Sequence, residues 1–376
     1  GMNIFIIGSG FFGSVLAERV TNVLNQPVTL LEKRNHIGGN CYSQIDKESG
    51  IEYHKYGTHI FHTNNKLVWN YINKFTTFND YRHQVLTTFK NKVYQLPINL
   101  ETINSFYDTN LKPYEIEEFL KEETKNEKQL DLSNFEDYSI SKVGRPLYEA
   151  FIKEYSTKQW QIDPKTMDAS IIKRLPFRTD YNESYYHSKW QGIPTDGYTD
   201  IFKKMLSNPL IELRLNTDFF DIKDQLPENS LIVYSGPIDQ YFNFCYGKLD
   251  WRTLRFEHEI KPYDDYQGTS VMNFAEMKIP YTRIHEPKHL HPERHYHKKR
   301  TLIIKEFSEK DDGNNPYYPI NNRKNQEMII KYKDLAAKEK KLIIAGRLGD
   351  YRYYDMHQTI ARALEVFEDI KNNITK

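Results

Sequence analysis

The residues with the clearest chemical purpose lie near the start of the chain. They are Gly8-Ser9-Gly10-Phe11-Phe12-Gly13, with Glu32 downstream at the end of an apolar run. This spacing suits a pyrophosphate. Gly8 permits a tight turn, Gly10 lets the backbone approach the anion, and Gly13 lets a helix pack closely on a strand. The helix N-terminus offers free N–H groups to negative charge, and Glu32 can accept hydrogen bonds from a ribose. Ile37-Gly38-Gly39-Asn40 follows, and its paired glycines allow backbone to approach a large flat ligand.

Three further clusters carry chemistry. Tyr56-Gly57-Thr58-His59-Ile60-Phe61-His62-Thr63 sets a histidine beside a glycine among aromatics, which suits a ring stacked on a cofactor. His59 and His62 have a zinc-like spacing, but no cysteine or third ligand is nearby in sequence, so no metal is expected. His62 can equally be read as a structural histidine. Between 155 and 190, Tyr155, Trp160, Lys173, Arg174, Arg178, Tyr181, Tyr185 and Tyr186 mix cations with aromatics. Arginine's planar fork matches phosphate oxygens, and an aromatic ring can stack on a base. Single-stranded nucleic acid is bound by the same parts. Last, Gly346-Arg347-Leu348-Gly349-Asp350-Tyr351-Arg352-Tyr353-Tyr354-Asp355-Met356-His357 has too many polar groups for a plain connection. It places Arg347 and Asp355 toward a cofactor and Tyr353 toward a substrate.

These residues need elements to hold them. Asn3–Ile7 is an apolar run fit for a buried parallel strand, and the Val15–Leu24 pattern is helical. Val28–Leu31 is a second strand. Residues 51–63 are extended, 67–75 helical, and 84–98 form a hairpin turning at Lys90-Asn91. Residues 100–160 are nearly free of glycine and predict several helices, with starts at Pro113, at Asn134-x-x-Asp137 and at Ser141. The Lys/Glu-rich run 117–128 reads as a solvated face. Residues 165–200 lose helical period and predict strands and loops lining a cleft. Residues 231–234 and 341–345 are buried strands that end in turns, and 250–307 read as antiparallel strands. Residues 311–323 are loop, and 326–338 and 356–370 are helices.

The fold class expected is therefore α/β. A split dinucleotide-binding, Rossmann-like domain (1–80, 196–245 and 325–376) carries two insertions. One is a helical domain (100–163). The other is an antiparallel β-sheet substrate domain (81–99, 164–195 and 246–324).

Bulk properties narrow the function. A net charge of +1 over 376 residues gives no global field to recruit nucleic acid or an acidic membrane, so neither partner is expected. No run approaches the length of a membrane span. Gly1 ahead of Met2 reads as an expression scar. The two cysteines, Cys41 and Cys245, make no disulfide framework and suit a reducing cytoplasm. The 28 tyrosines give many apolar rings with a hydrogen-bonding tip, a composition suited to polar ligands such as sugars and nucleotides.

The motifs also resemble those of a known family, the bacterial UDP-galactopyranose mutases, over the whole chain. The segments that carry the resemblance are Gly8–Gly13, Ile37–Asn40, His54–Thr63, Tyr155–Trp160, Ile171–Arg174, Gln191–Pro194, Ser235–Phe242, Pro280–Arg283, Pro316–Pro319 and Tyr353–Gln358, in the family's order. The resemblance implies a cytoplasmic, homodimeric flavoenzyme that interconverts UDP-galactopyranose and UDP-galactofuranose, and so supplies galactofuranose for cell-surface polysaccharide such as lipopolysaccharide. The cofactor implied is FAD, active when reduced by an external reductant. Its N(5) attacks the anomeric carbon and displaces UDP. The sugar opens as a flavin iminium and recloses as the furanose, with no net oxidation.

Residue roles follow from the same match. Arg174 and Arg283 clamp the diphosphate, aided by Tyr185, Tyr318 and Tyr353. Phe151, Tyr155, Ser156 and Trp160 border the uridine or sugar, and Asn79 and Asn273 make polar contacts to the substrate. His59 lies by the flavin and is counted with the two arginines as catalytic. The cofactor side is assigned to Gly8, Gly10, Phe12, Gly13, Ser14, Glu32, Lys33, Gly39, Asn40, His59, Ile60, Arg347, Tyr354, Asp355 and Met356. One position departs from the pattern: many members have proline where this chain has Thr58. Relatives that act on N-acetylgalactosamine or deoxyhexose nucleotides leave the sugar open. An amine-oxidase-type oxidoreductase shares the cofactor architecture and is the more distant alternative.

Overall fold

The computed structural model describes residues 2–173 and 175–374. Its strands in chain order are β1 (Asn3–Ile7), β2 (Val28–Leu31), β3 (Ser43–Ile45), β4 (Glu52–His54), β5 (Phe61–Thr63), β6 (Val85–Phe89), β7 (Lys92–Leu96) and β8 (Trp190–Gly192). The second half contributes β9 (Ile211–Arg214), β10 (Ser230–Tyr234), β11 (Trp251–Lys261), β12 (Val271–Phe274), β13 (Arg283–His285), β14 (Thr301–Lys310), β15 (Tyr318–Pro319) and β16 (Leu342–Ile344).

One sheet is parallel throughout, in the order β16-β10-β1-β2-β9. Its inner strands are largely apolar because both faces are covered, while the edge strand β9 carries the exposed Glu212 and Arg214. Ile4, Ile6, Leu30 and Val233 pack with the helices Phe11–Leu24 and Met356–Ile374. Phe5, Leu31 and Tyr234 point the other way, onto Phe219. Each full burial of a side chain such as Ile6 contributes roughly 1.5–3 kcal/mol. The strands at 3, 231 and 342 thus assemble from three separate stretches of chain.

The second sheet has seven strands in the order β15-β11-β14-β13-β12-β6-β7. It is not purely antiparallel, because β12 runs parallel to β6. The β6–β7 hairpin turns at Lys90 and Asn91, both at positive φ (49° and 61°), as a two-residue turn of that twist requires. Register sets one row across this sheet: Thr87 opposite Asn273, Asn273 opposite Arg283, Arg283 opposite Glu306, and Glu306 opposite Phe256. Residues directly opposite share a face. Residues 164–195, expected within this sheet, contribute only β8, which pairs with β5 instead.

The helical insertion follows β7. Asn99 and Asn134 cap helices Leu100–Tyr107 and Phe135–Val143 through their side chains. Ser141, predicted as a helix start, lies inside the second of these and donates to the Tyr138 carbonyl. Tyr148–Lys153 is a π-helical turn, and it is followed by helix Glu154–Trp160. A wider turn of this kind changes the phase of the side chains around it, with consequences for Phe151.

Candidate active site

A cavity of about 1290 Å³ runs from the C-terminal ends of β1, β2, β10 and β16 to the face of the seven-stranded sheet. Ligands of open parallel sheets bind at those strand ends. Pockets for one small ligand hold roughly 300–1000 Å³, so this cavity has room for a dinucleotide and a second molecule.

The strand-end half is a backbone cradle. A Cβ on Gly13 would lie 1.8 Å from the Gly8 carbonyl oxygen, so only glycine lets the helix seat on the turn. A Cβ on Gly39 would meet the Gly10 Cα at 3.0 Å, and the two loops face one another across bare backbone. Gly10 caps helix Phe11–Leu24 without a side-chain bond, which leaves the first N–H groups for an anion. The Glu32 carboxylate is held by three donors: Ser9 N at 3.1 Å, Ser9 Oγ at 2.5 Å and Arg34 N at 2.9 Å. A shelf that no side chain fills, ending in a fixed carboxylate, fits FAD's pyrophosphate and ribose.

Gly8, Gly10, Phe12, Glu32, Lys33, Gly39, Asn40, His59, Ile60, Arg347, Tyr354, Asp355 and Met356 all line the cavity. Gly13 and Ser14 stand behind it. Ser14 Oγ donates to the Ser9 carbonyl at 2.9 Å and braces the turn. Arg347 donates to the Tyr317 carbonyl and lies over the Tyr318 ring.

His59 is a neutral imidazole, because burial pushes it down to about 4 against the opposing bond to the Gly57 carbonyl. Its Nδ1 sits 2.6 Å from that carbonyl and must donate to it. The Nε2 lone pair is then left to accept.

The other half of the cavity rests on the sheet row. Asn273, Arg283 and Glu306 line it, together with Trp160, Tyr185, Tyr186, Tyr318, Tyr353 and His83. Arg283 is one-third exposed, donates to Tyr155 Oη at 2.9 Å, and lies 3.4 Å from Glu306. Burial alone would raise the Glu306 carboxyl, but the Arg283 charge and the His285 hydrogen bond bring it down to about 2. Asn273 Oδ1 is buried without a hydrogen-bond partner among the described residues. Tyr318 and Tyr353 rings lie 5.5 Å apart.

Four expected residues are placed elsewhere. Phe151 is packed in the helical core against Phe89, Tyr94 and Phe106, away from the cavity wall. In a regular α-helix it would share a face with Tyr155, and the π-helical turn separates them. Asn79 accepts from Tyr81 N and Ile193 N and donates to the Leu290 carbonyl and Glu293, so it staples three loops. Ser156 is buried and is not part of the wall. Tyr155 reaches the site through Arg283 rather than as a lining residue. Arg174 lies outside the described residues.

Sequence reasoning missed Arg34, His83, His285 and Glu306. Arg34 lies 4.1 Å over the Tyr56 ring and donates to Asn40 at 3.0 Å. Glu306 had a readable signal: it shares strand parity with Leu302 and Ile304, and an acid on an apolar face of a strand needs a partner. Folding also changes the surroundings of His62. Its Nε2 lies 3.4 Å from Asp355, its ring stacks on Tyr186 at 3.7 Å, and its ligand atoms lie with those of Asp355 and His357 within 4.8 Å of one another. Ser188 Oγ occupies its other nitrogen at 2.9 Å.

The family model described as UDP-galactopyranose mutase matches residues 150–353, and that for an NAD(P)-binding Rossmann-like domain matches 6–75. The second describes a dinucleotide-binding fold, and the first covers more than half of the chain. A dTDP-fucopyranose mutase of Escherichia coli is 39% identical, with 98% of this chain and 99% of that protein aligned. The chain belongs to the UDP-galactopyranose mutase family. A UDP-galactopyranose mutase of Mycoplasma genitalium is 35% identical over 96% of this chain and 93% of its own. The crystal structure of a reduced UDP-galactopyranose mutase matches in fold, with a TM-score of 0.78 at 15% identity over 100% of this chain and 97% of that one. The family's matched region, 150–353, contains Asn273, Arg283 and Glu306 of the sheet row and most of the tyrosines of the cavity.

Proposed function

We propose that this chain is a nucleotide-sugar mutase that interconverts UDP-galactopyranose and UDP-galactofuranose with reduced FAD. One observation carries the reading: a single cavity joins the Gly8–Glu32 cradle to an arginine-bearing sheet row. Hydride transfer to a neutral substrate needs the cradle but not a guanidinium lining the cavity beyond it. An anionic second ligand explains both.

Reduced FAD in the cradle would supply a nucleophilic ring nitrogen to the sugar. The chain's own residues then have distinct tasks. Glu32 accepts from the ribose, and the N-terminus of helix Phe11–Leu24 faces the pyrophosphate. His59, neutral and with its Nδ1 held by the Gly57 carbonyl, would offer Nε2 as an acceptor to the cofactor without adding a charge beside it. Arg283 holds the substrate diphosphate with Tyr318, Tyr353 and Tyr185, and Arg174 joins it on the strength of the motif match. Each charge-assisted hydrogen bond contributes roughly 1.5–3 kcal/mol. Trp160 stacks on the base, and the unpaired Asn273 Oδ1 accepts from a sugar hydroxyl. The diphosphate must stay in place after its bond to the sugar breaks, because retention makes the return attack effectively intramolecular.

The same reading carries a homodimer, a cytoplasmic location, an external reductant for the flavin and a product used in cell-surface polysaccharide. No described helix is long and apolar enough to cross a membrane. A second sugar is favoured by one observation, the 39% identity to a protein named for dTDP-fucopyranose. A product assay with reduced, FAD-loaded protein on galactose, N-acetylgalactosamine and fucose nucleotides decides between them. Turnover of none of them would sink the mutase reading.

A further inference from the structure

The mechanism above leaves one buried chain of side chains unused. Thr58 Oγ1 lies 2.7 Å from His285 Nδ1, His285 Nε2 lies 2.9 Å from Glu306 Oε1, and Glu306 Oε2 lies 3.4 Å from Arg283 Nε. His285 is 3% exposed and Glu306 9%, so water does not compete for these contacts.

The direction at the carboxylate end is fixed by chemistry. An ionised carboxylate only accepts, so His285 Nε2 donates to Glu306. A neutral ring protonated there carries its lone pair on Nδ1, and Thr58 must donate to it. The chain of bonds therefore runs Thr58 to His285 to Glu306, and the carboxylate that receives it faces the Arg283 guanidinium. Thr282 Oγ1 also approaches Glu306 Oε2, at 3.4 Å. Among the described residues Arg283 Nε has no hydrogen-bond partner, and the guanidinium is oriented by the nearby Glu306 carboxylate and by the bond to Tyr155. Thr58 sits on the loop that carries His59, and the Gly57 of that loop packs on Phe256 in the same sheet row as Glu306 and Arg283.

We propose that the Thr58 hydroxyl is a positioning group for the anion-binding Arg283, acting through His285 and Glu306. It couples the loop at the cofactor cradle to the guanidinium at the sheet. The proposal rests on the reading that Arg283 binds the substrate diphosphate. A guanidinium held in one orientation spends less freedom on capturing an anion than one that must be ordered on binding.

The test is UDP titration of the FAD-loaded full chain by calorimetry, with flavin content and melting temperature recorded for every variant. Thr58→Val keeps the shape and removes the donor, and UDP affinity should fall roughly tenfold, the effect of one lost hydrogen bond. Thr58→Ser should restore affinity to within about twofold. If Thr58→Val does not load FAD, Thr58→Ala removes the hydroxyl without placing a methyl against the imidazole. The deciding comparison is made in an Arg283→Ala background, where Thr58→Val should have no further effect. Wild-type affinity in Thr58→Val, while Arg283→Ala loses binding, overturns the proposal and leaves the diphosphate reading intact. So does an undiminished Thr58→Val effect in the Arg283→Ala background, which would mark a local packing role. Arg283→Ala with wild-type affinity overturns the diphosphate reading and the proposal with it.

Discussion

Arg283→Ala tests two physical claims at once. Arg283 is the described cation that stands directly opposite Glu306 in the sheet register and opens onto the cavity. Removing it deletes the charge that faces the diphosphate. Truncating one partner of a desolvated, hydrogen-bonded charge pair costs about 2–5 kcal/mol, a loss of roughly 30- to 5000-fold in UDP affinity and in kcat/KM. FAD content should be unchanged, because no contact of Arg283 involves the Gly8–Glu32 cradle. The second claim concerns Glu306. Its carboxyl is held at about 2 against an ordinary value of 4.5, despite burial that alone would raise it, by Arg283 and His285. A depressed carboxylate stabilises the fold fully above pH 4.5, and the contribution is lost as pH falls toward 2. The shift corresponds to roughly 3 kcal/mol. In Arg283→Ala most of it should vanish, and the buried carboxylate should instead make the variant less stable at neutral pH. Isothermal titration with UDP, flavin absorbance, and urea unfolding at pH 7 and pH 3.5 read all three effects. Near-normal turnover and affinity would refute the clamp. Loss of FAD would refute the separation of the two halves of the cavity.

Three other perturbations follow. Burial pushes His59 down to about 4 and His83 to about 3, so the unfolded chain takes up protons below pH 6.5 that the folded chain refuses. Stability is therefore full above pH 6.5 and should fall by about 1.4 kcal/mol per pH unit for each of them as pH drops toward 4; urea midpoints at pH 7.5, 6 and 5 check this, and a flat profile contradicts it. Phe151→Leu should destabilise the fold by roughly 1 kcal/mol and leave the substrate KM unchanged, because the ring lies in the helical core; a raised KM with normal stability would return Phe151 to the site. Gly13→Ala should abolish FAD loading, because the new Cβ would collide with the Gly8 carbonyl; a variant with full flavin content would show that the turn yields without cost.

The parts of this molecule that could be read beforehand were governed by local rules. Gly13 and Glu32 announce their strand–turn–helix by spacing, the alternation of residues 84–98 announces the hairpin that turns at Lys90-Asn91, and Asn134 announces its helix as a cap. The parts that could not be read depend on register or on phase. Arg283 and Glu306 are 23 residues apart in sequence and meet because β13 and β14 pair in that register. His285 and Thr58 are further apart still, and they meet where Gly57 approaches Phe256, whose ring in turn lies against His285. Phe151 is assigned by motif match alone, and a match gives no side-chain direction: here the residue lies in a π-helical turn and its ring packs in the helical core. Asn79 comes from the same match, and its side chain is occupied by Tyr81 N, Ile193 N, the Leu290 carbonyl and the Glu293 carboxylate.

The central claim is that a cofactor cradle and an anion-binding sheet row act on one sugar nucleotide. The direct measurement is anaerobic incubation of dithionite-reduced, FAD-loaded protein with UDP-galactofuranose, with products separated by chromatography. Conversion to UDP-galactopyranose that stops when the flavin is oxidised, with no net change in substrate oxidation state, is the predicted result. Absence of any furanose–pyranose exchange with this or the fucose and N-acetylgalactosamine nucleotides, in protein that holds reduced FAD and binds UDP, would contradict it.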